Sequence, residues 1–99
     1  MKVILVPAAQ ADLEEIADYI AQDNPRRALS YIRELRIAAE TIGEFPESYP
    51  LLPRYEHYGL RRRAYGNYLI FYEIIKGTVF VTHILHGAQD YEAILFPEE

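Results

Sequence analysis

Apolar residues along this chain keep different periods in different stretches, and each change of period marks an element. Lys2 to Val6 is a short β-branched run ended by Pro7. That suits a strand leading straight into a helix, because proline is tolerated in a helix's first turn. From Ala8 the period becomes helical: Leu13, Ile16, Ala17 and Ile20 recur at i, i+3, i+4 and i+7, with Asp12, Glu14, Glu15 and Asp18 on other faces. Acids early in this helix suit its dipole. Asn24-Pro25 then stops it and starts a second helix as N-cap and first residue. The second helix is predicted from Pro25 to about Ile42, with a seam of Ala28, Ile32, Leu35, Ala39 and Ile42 and with Gly43 as its left-handed C′ residue. So short a connection makes the helices antiparallel neighbours, and the seam finds its partner in the first helix rather than in another chain.

Glu44 to Tyr58 carries Pro46, Pro50 and Pro53 and has no clear period. It is either a proline-stiffened crossover with Phe45, Leu51 and Leu52 tucked beneath it or a loop with a function of its own. Three strand-like runs follow, Leu60 to Tyr65, Asn67 to Ile75 and Thr78 to His86, joined by the turn pairs Gly66-Asn67 and Lys76-Gly77. In the middle run Tyr68, Ile70, Tyr72 and Ile74 share one face and Leu69, Phe71 and Ile75 the other, which predicts a central strand buried on both sides. Asp90 is placed to cap a single turn through Tyr91, Glu92, Ala93 and Ile94. The predicted fold is α+β: an N-terminal strand, an antiparallel αα-hairpin, then a three-stranded antiparallel meander, forming one sheet covered on one face by the helices. The first strand is expected to join that sheet, and residues 1–99 to form one domain.

Composition changes this picture little. About half the residues are hydrophobic, cysteine is absent and no apolar run is long enough to cross a bilayer. A soluble, cytoplasmic protein is the expectation. Charge says more. The formal net charge of −5 argues against indiscriminate binding to nucleic acid. Its distribution is uneven, with acids concentrated before Asp23 and four arginines, Arg54, Arg61, Arg62 and Arg63, against Glu56 alone in the band from 54 to 63.

That band is the first candidate site. Alternation along a strand places Arg61 and Arg63 on one side and Arg62 on the other. The pair could clamp an anion bidentately. The plainer alternative is a solvated strand face whose arginines pair with Glu56, Glu73 or Asp90. His83 and His86 suggest a metal, but a spacing of three sends them to opposite faces, so neither metal nor cofactor is expected. His83 shares a face with Val79, Val81 and Leu85 and reads as semi-buried, whereas His86, before Gly87, is the better functional candidate. Tyr49, Tyr55 and Tyr58 on the crossover would serve as interface anchors.

Five short stretches occur in an order that resembles the ParE branch of the RelE/ParE superfamily of type II toxin–antitoxin toxins. They are Ala9, Asp12, Leu13, Ile16, Ala17, Tyr19 and Ile20 in the first helix, then Asn24-Pro25, Gly59-Leu60-Arg61, Tyr68 to Tyr72, and Ile84-Leu85-His86-Gly87. The resemblance implies a small cytosolic toxin, of the kind associated with plasmid stabilization and growth inhibition, neutralised by a ParD-like antitoxin that wraps its surface. ParE-like members are associated with poisoning DNA gyrase, and RelE-like members with cutting mRNA at the ribosome. A nuclease here would draw on Arg61, Arg63, His86 and Tyr91 for charge stabilisation and proton transfer. Against that, Gln89 stands where relatives often carry arginine, and Lys2 and Lys76 are the only lysines. The favoured expectation is an inhibitory binder. Its target or antitoxin surface would include Arg54, Tyr55, Tyr58, Arg61, Arg62, Arg63, His86, Gln89, Asp90 and Tyr91. A ribosome-dependent endonuclease and an inactive, antitoxin-binding relative are the alternatives.

Overall fold

The computed structural model describes residues 1–98, so that Glu99 of the expected domain lies outside the described residues. Strand β1 (Lys2–Leu5) leads into α1 (Pro7–Ala21), and α2 (Pro25–Thr41) completes a helical hairpin. After the crossover come β2 (Arg61–Tyr65), β3 (Tyr68–Ile75), β4 (Thr78–His86) and a short α3 (Tyr91–Leu95). The architecture is α+β, with one four-stranded sheet in the order β1-β4-β3-β2. No described helix is long and apolar enough to cross a membrane.

The sheet is mixed rather than purely antiparallel. β1 lies parallel to β4, with Lys2 opposite Thr78 and Leu5 opposite Val81. Parallel neighbours need a long crossover, and here the helical hairpin and the strands after it intervene between β1 and β4. β3 pairs antiparallel with both β2 and β4.

Helix boundaries follow local chemistry. Asn24 caps α2 by accepting a hydrogen bond from the Arg27 N–H at 3.0 Å, and Pro25 holds the first helical position. Gly43 corrects an expectation: it lies in a 3-10 turn (Ile42–Glu44) and is not left-handed. Its size matters instead, because a Cβ there would stand 2.3 Å from the Met1 carbonyl oxygen and 2.9 Å from Cγ2 of Val3. Nor do acids serve the α1 dipole, since its first turn holds none.

Two cores sandwich the sheet. On the front, Leu13 and Ile16 of α1 and Leu35, Ala39 and Ile42 pack against Tyr68, Ile70, Tyr72, Val79, Val81 and Ile84. On the rear, Leu52, Leu60, Phe71, Leu85 and Phe96 form a second cluster, with Tyr55, Tyr91 and Leu95 at its margin. The helices therefore cover one face, while the crossover and the C-terminal segment cover the other. Phe45, expected under the crossover, is 71% exposed, whereas Leu52 is buried. Leu51 bridges to Arg61, which lets the crossover extend the β2 edge briefly before turning to the rear.

β4 carries a bulge. Phe71 is opposite His83 and Tyr72 opposite Val81, leaving Thr82 without a partner. Val81 and Ile84 consequently both join the front core, and Leu85 joins the rear one. His83 is thus moved off the face of Val79 and Val81 that strict alternation gave it.

Candidate functional site

The residues singled out in the sequence fall in three places. The first is the front of β2. Arg61 donates from Nη1 to the carbonyls of Glu47 (3.2 Å) and Tyr49 (2.7 Å). Arg63 donates from Nη1 to the Ala38 carbonyl (2.5 Å) and the Thr41 hydroxyl (2.6 Å), and its guanidinium lies 5.2 Å from the Tyr49 ring centre. The Ala38 carbonyl belongs to the last turn of α2, where helix carbonyls lack intrahelical partners, so Arg63 caps that helix. The two guanidiniums face the same way, as alternation requires, and bind the protein's own oxygens. Neither they nor Arg62 form the expected pairs with Glu56, Glu73 or Asp90.

The second place is the rear face. Arg62 donates to the Tyr91 hydroxyl at 2.9 Å, and the Tyr91 ring packs 5.3 Å from Phe71. Arg54, in a left-handed conformation (φ 73°), holds both carboxylate oxygens of Glu92, at 2.5 and 2.8 Å. Tyr55 stacks on Phe96 at 4.1 Å, and Tyr58 leans on the same ring at 4.7 Å. Asp90 caps α3 through the Ala93 N–H. A shallow groove of about 220 Å³ opens here between Tyr58, Leu60, Glu73, Thr82, His83 and Phe96.

The third place is the end of β4. The His86 N–H donates to Oε1 of Gln89, and His86 Nδ1 accepts from the Ala88 N–H at 3.0 Å. Accepting at Nδ1 keeps the ring proton of the neutral imidazole on Nε2. Gln89 therefore closes a turn through its side-chain oxygen. The His86 ring stands edge-on to Tyr68 at 5.2 Å. Both border a groove of about 450 Å³ whose other walls are Glu15, Ile16, Tyr19, Ala88 and Gln89.

These places do not converge. Along β3, Arg61 pairs with Tyr72, Arg63 with Ile70 and His86 with Tyr68. Arg61 is thus four residues and two strand spacings from His86, on the order of 16 Å. Tyr91 lies on the opposite face of the sheet. Among the described residues no group of His, Asp and Glu could hold a metal ion.

Two features were missed in the sequence. Asp12, read as part of a polar face and of the first-helix stretch but given no contact, accepts from Nδ1 of His83 and from the Ile84 N–H, each at 2.8 Å. It takes the place of a neighbouring strand where β1 has ended. The second concerns charge: α2 carries Arg26, Arg27, Arg33 and Arg36 against Glu34 and Glu40, so the band from 54 to 63 is not the only concentration of cations. Helical spacing in the sequence was the available signal.

Burial governs the clearest titration shift. The Tyr72 hydroxyl, donating to the Pro46 carbonyl at 2.5 Å, is pushed up to about 12, chiefly by desolvation. Glu34 is held below the usual carboxylate range by hydrogen bonds from Arg27 and then Tyr65.

A helical hairpin and a second, smaller core on the two sides of a mixed sheet define a fold already seen in a toxin–antitoxin protein. The chain is similar to a solved structure described as "Chromosomal ParDE TA system from P. aeruginosa", with a TM-score of 0.71 and 16% identity, covering 87% of this chain and 95% of that one. At that identity the likeness is one of fold. Residues 3–91 match the family model described as the ParE toxin of type II toxin-antitoxin system, parDE, and the chain belongs to that family. A search of curated proteins found no match.

Proposed function

We propose that this toxin acts by binding, with DNA gyrase as its target, and that an antitoxin holds it inactive. Family membership supports the toxin, and the toxin–antitoxin description of the structural neighbour supports the antitoxin. The observation that carries the non-enzymatic part is the dispersal of Arg61, Arg63, His86 and Tyr91. General acid–base cleavage of RNA needs acid, base and cation within hydrogen-bond reach of one phosphate. Here the two arginines are engaged with the protein's own oxygens, and the two proton carriers lie on opposite faces of the sheet.

Purified protein is expected to reduce gyrase supercoiling and to raise gyrase-linked DNA breakage at micromolar concentration. Unchanged supercoiling and breakage would end the gyrase assignment. Codon-positioned cuts in translated mRNA, lost on His86→Ala or Tyr91→Phe, would favour the nuclease reading instead. Unimpaired growth on expression without antitoxin would identify an inactive relative.

A further inference from the structure

The four arginines from 54 to 63 all direct donors at partners within the chain, and Arg27 pairs with Glu34 at 2.5 Å. Three other arginines do not. Arg26, Arg33 and Arg36 are exposed on α2, and none has a hydrogen bond or ion pair among the described residues. At 1.5 Å per residue they span about 15 Å of helix. Arg26 and Arg33 point away from Ala28 and Leu35, the side of α2 that is buried, and Arg36 flanks them. Between them stand Leu29, 73% exposed, and Ile37, 54% exposed, neither of which belongs to either core. The outward face of α2 thus alternates cations with uncovered aliphatic side chains.

We propose that this face is a docking surface for an acidic amphipathic helix of a partner protein, one that carries carboxylates around leucine-type side chains. The stripe is straight and about three helical turns long, which suits helix-on-helix packing. Its cations attract carboxylates, and Leu29 and Ile37 require apolar counterparts. A nucleic acid would leave those two side chains against phosphates, next to a body of net charge −5. A second copy of the chain fits less well, because the outer face of α1 offers a single large apolar side chain, Tyr19, among its carboxylates, where Leu29 and Ile37 call for two.

The test takes its probe from the toxin–antitoxin reading: the purified antitoxin encoded beside this chain, titrated into the full-length toxin by calorimetry. Two double variants are compared with the unmodified protein, Arg33→Glu with Arg36→Glu, and Leu29→Ser with Ile37→Ser. Lys76→Glu, at the β3–β4 turn, serves as the control. Each double variant is expected to bind at least about tenfold more weakly with an unchanged melting temperature, and binding by the unmodified toxin to weaken as salt rises. The control should bind normally. Equal affinities for all four proteins would overturn the surface assignment and leave the toxin–antitoxin reading intact. No binding even by the unmodified toxin would overturn both. Sedimentation of the toxin alone that showed a dimer dispersed by the arginine reversals would assign the face to a second copy, and so also overturn the proposal.

Discussion

Asp12 and His83, 71 positions apart, meet at 2.8 Å, and the same carboxylate oxygen takes the N–H of Ile84. The contact ties α1 to β4 beyond the point where β1 stops, with the Asp12 side chain only 14% exposed. Asp12→Ala removes the acceptor and leaves a sheet N–H without its partner. The expected loss is about 1–3 kcal/mol in urea unfolding, with no change in secondary structure. Asp12→Asn, which keeps one acceptor oxygen, should lose less.

Arg63 is predicted to matter for stability before it matters for binding. Arg63→Met removes the cap on the Ala38 carbonyl and Thr41 hydroxyl and should destabilise by about 1–3 kcal/mol. Arg61→Met should cost less, since of its two acceptor contacts the one to Glu47 is exposed and long. Thermal unfolding of the two variants gives the comparison.

Gly43 and Gly66 are irreplaceable for different reasons. A methyl at Gly43 strikes the Met1 backbone at 2.3 Å, which neither side can yield easily. Gly43→Ala is expected to destabilise by about 1–3 kcal/mol. At Gly66 the left-handed φ of +56° and the Tyr31 hydroxyl, 2.4 Å from an added Cβ, act together. By contrast, Gly59→Ala meets open space and should cost about 1 kcal/mol through its backbone alone. Denaturation midpoints rank the three.

Alkali should unfold the protein through Tyr72. Its folded hydroxyl ionises only near 12, against 10.0 for an ordinary tyrosine. Stability from this group is fully present below pH 10 and is lost as pH rises towards 12, because only the unfolded chain gains by ionising. Tyr72→Phe should remove this component of the alkaline slope. Tyrosinate absorbance, followed with pH in both proteins, checks it. Glu34 acts in the opposite direction: its lowered value gives stability present above the usual carboxylate range and lost as pH falls below it.

Periodicity made the helices, the central β3 and the cap residues Asn24 and Asp90 legible, because each depends on neighbours within one or two turns. The rear core was only partly so. Leu52, Leu60 and Phe96 come from segments without a period, and only the fold shows that they share Phe71 as a floor. Candidate chemistry was least legible. Three adjacent arginines look like an anion site in a string of letters, yet their donors end on Tyr49, Tyr91 and Ala38, which lie 12, 29 and 25 positions away. The unpaired arginines of α2 were hidden for the converse reason. Spread over a helix, they are far apart in sequence and adjacent in space.

The unpartnered Thr82 acts as a phase shift within a single strand. Before it, odd-numbered side chains of β4 enter the helix-covered core; after it, even-numbered ones do. Deleting this one residue would restore strict alternation without changing a single pairing, because Val81 and His83 already face the adjacent residues Tyr72 and Phe71. Ile84, Leu85 and His86 would keep their partners Ile70, Leu69 and Tyr68, so the imidazole would still border the front groove. A one-residue deletion at position 82 should therefore leave the groove at the far end of the strand in place, whereas deleting Leu85 instead would turn His86 to the other face of the sheet.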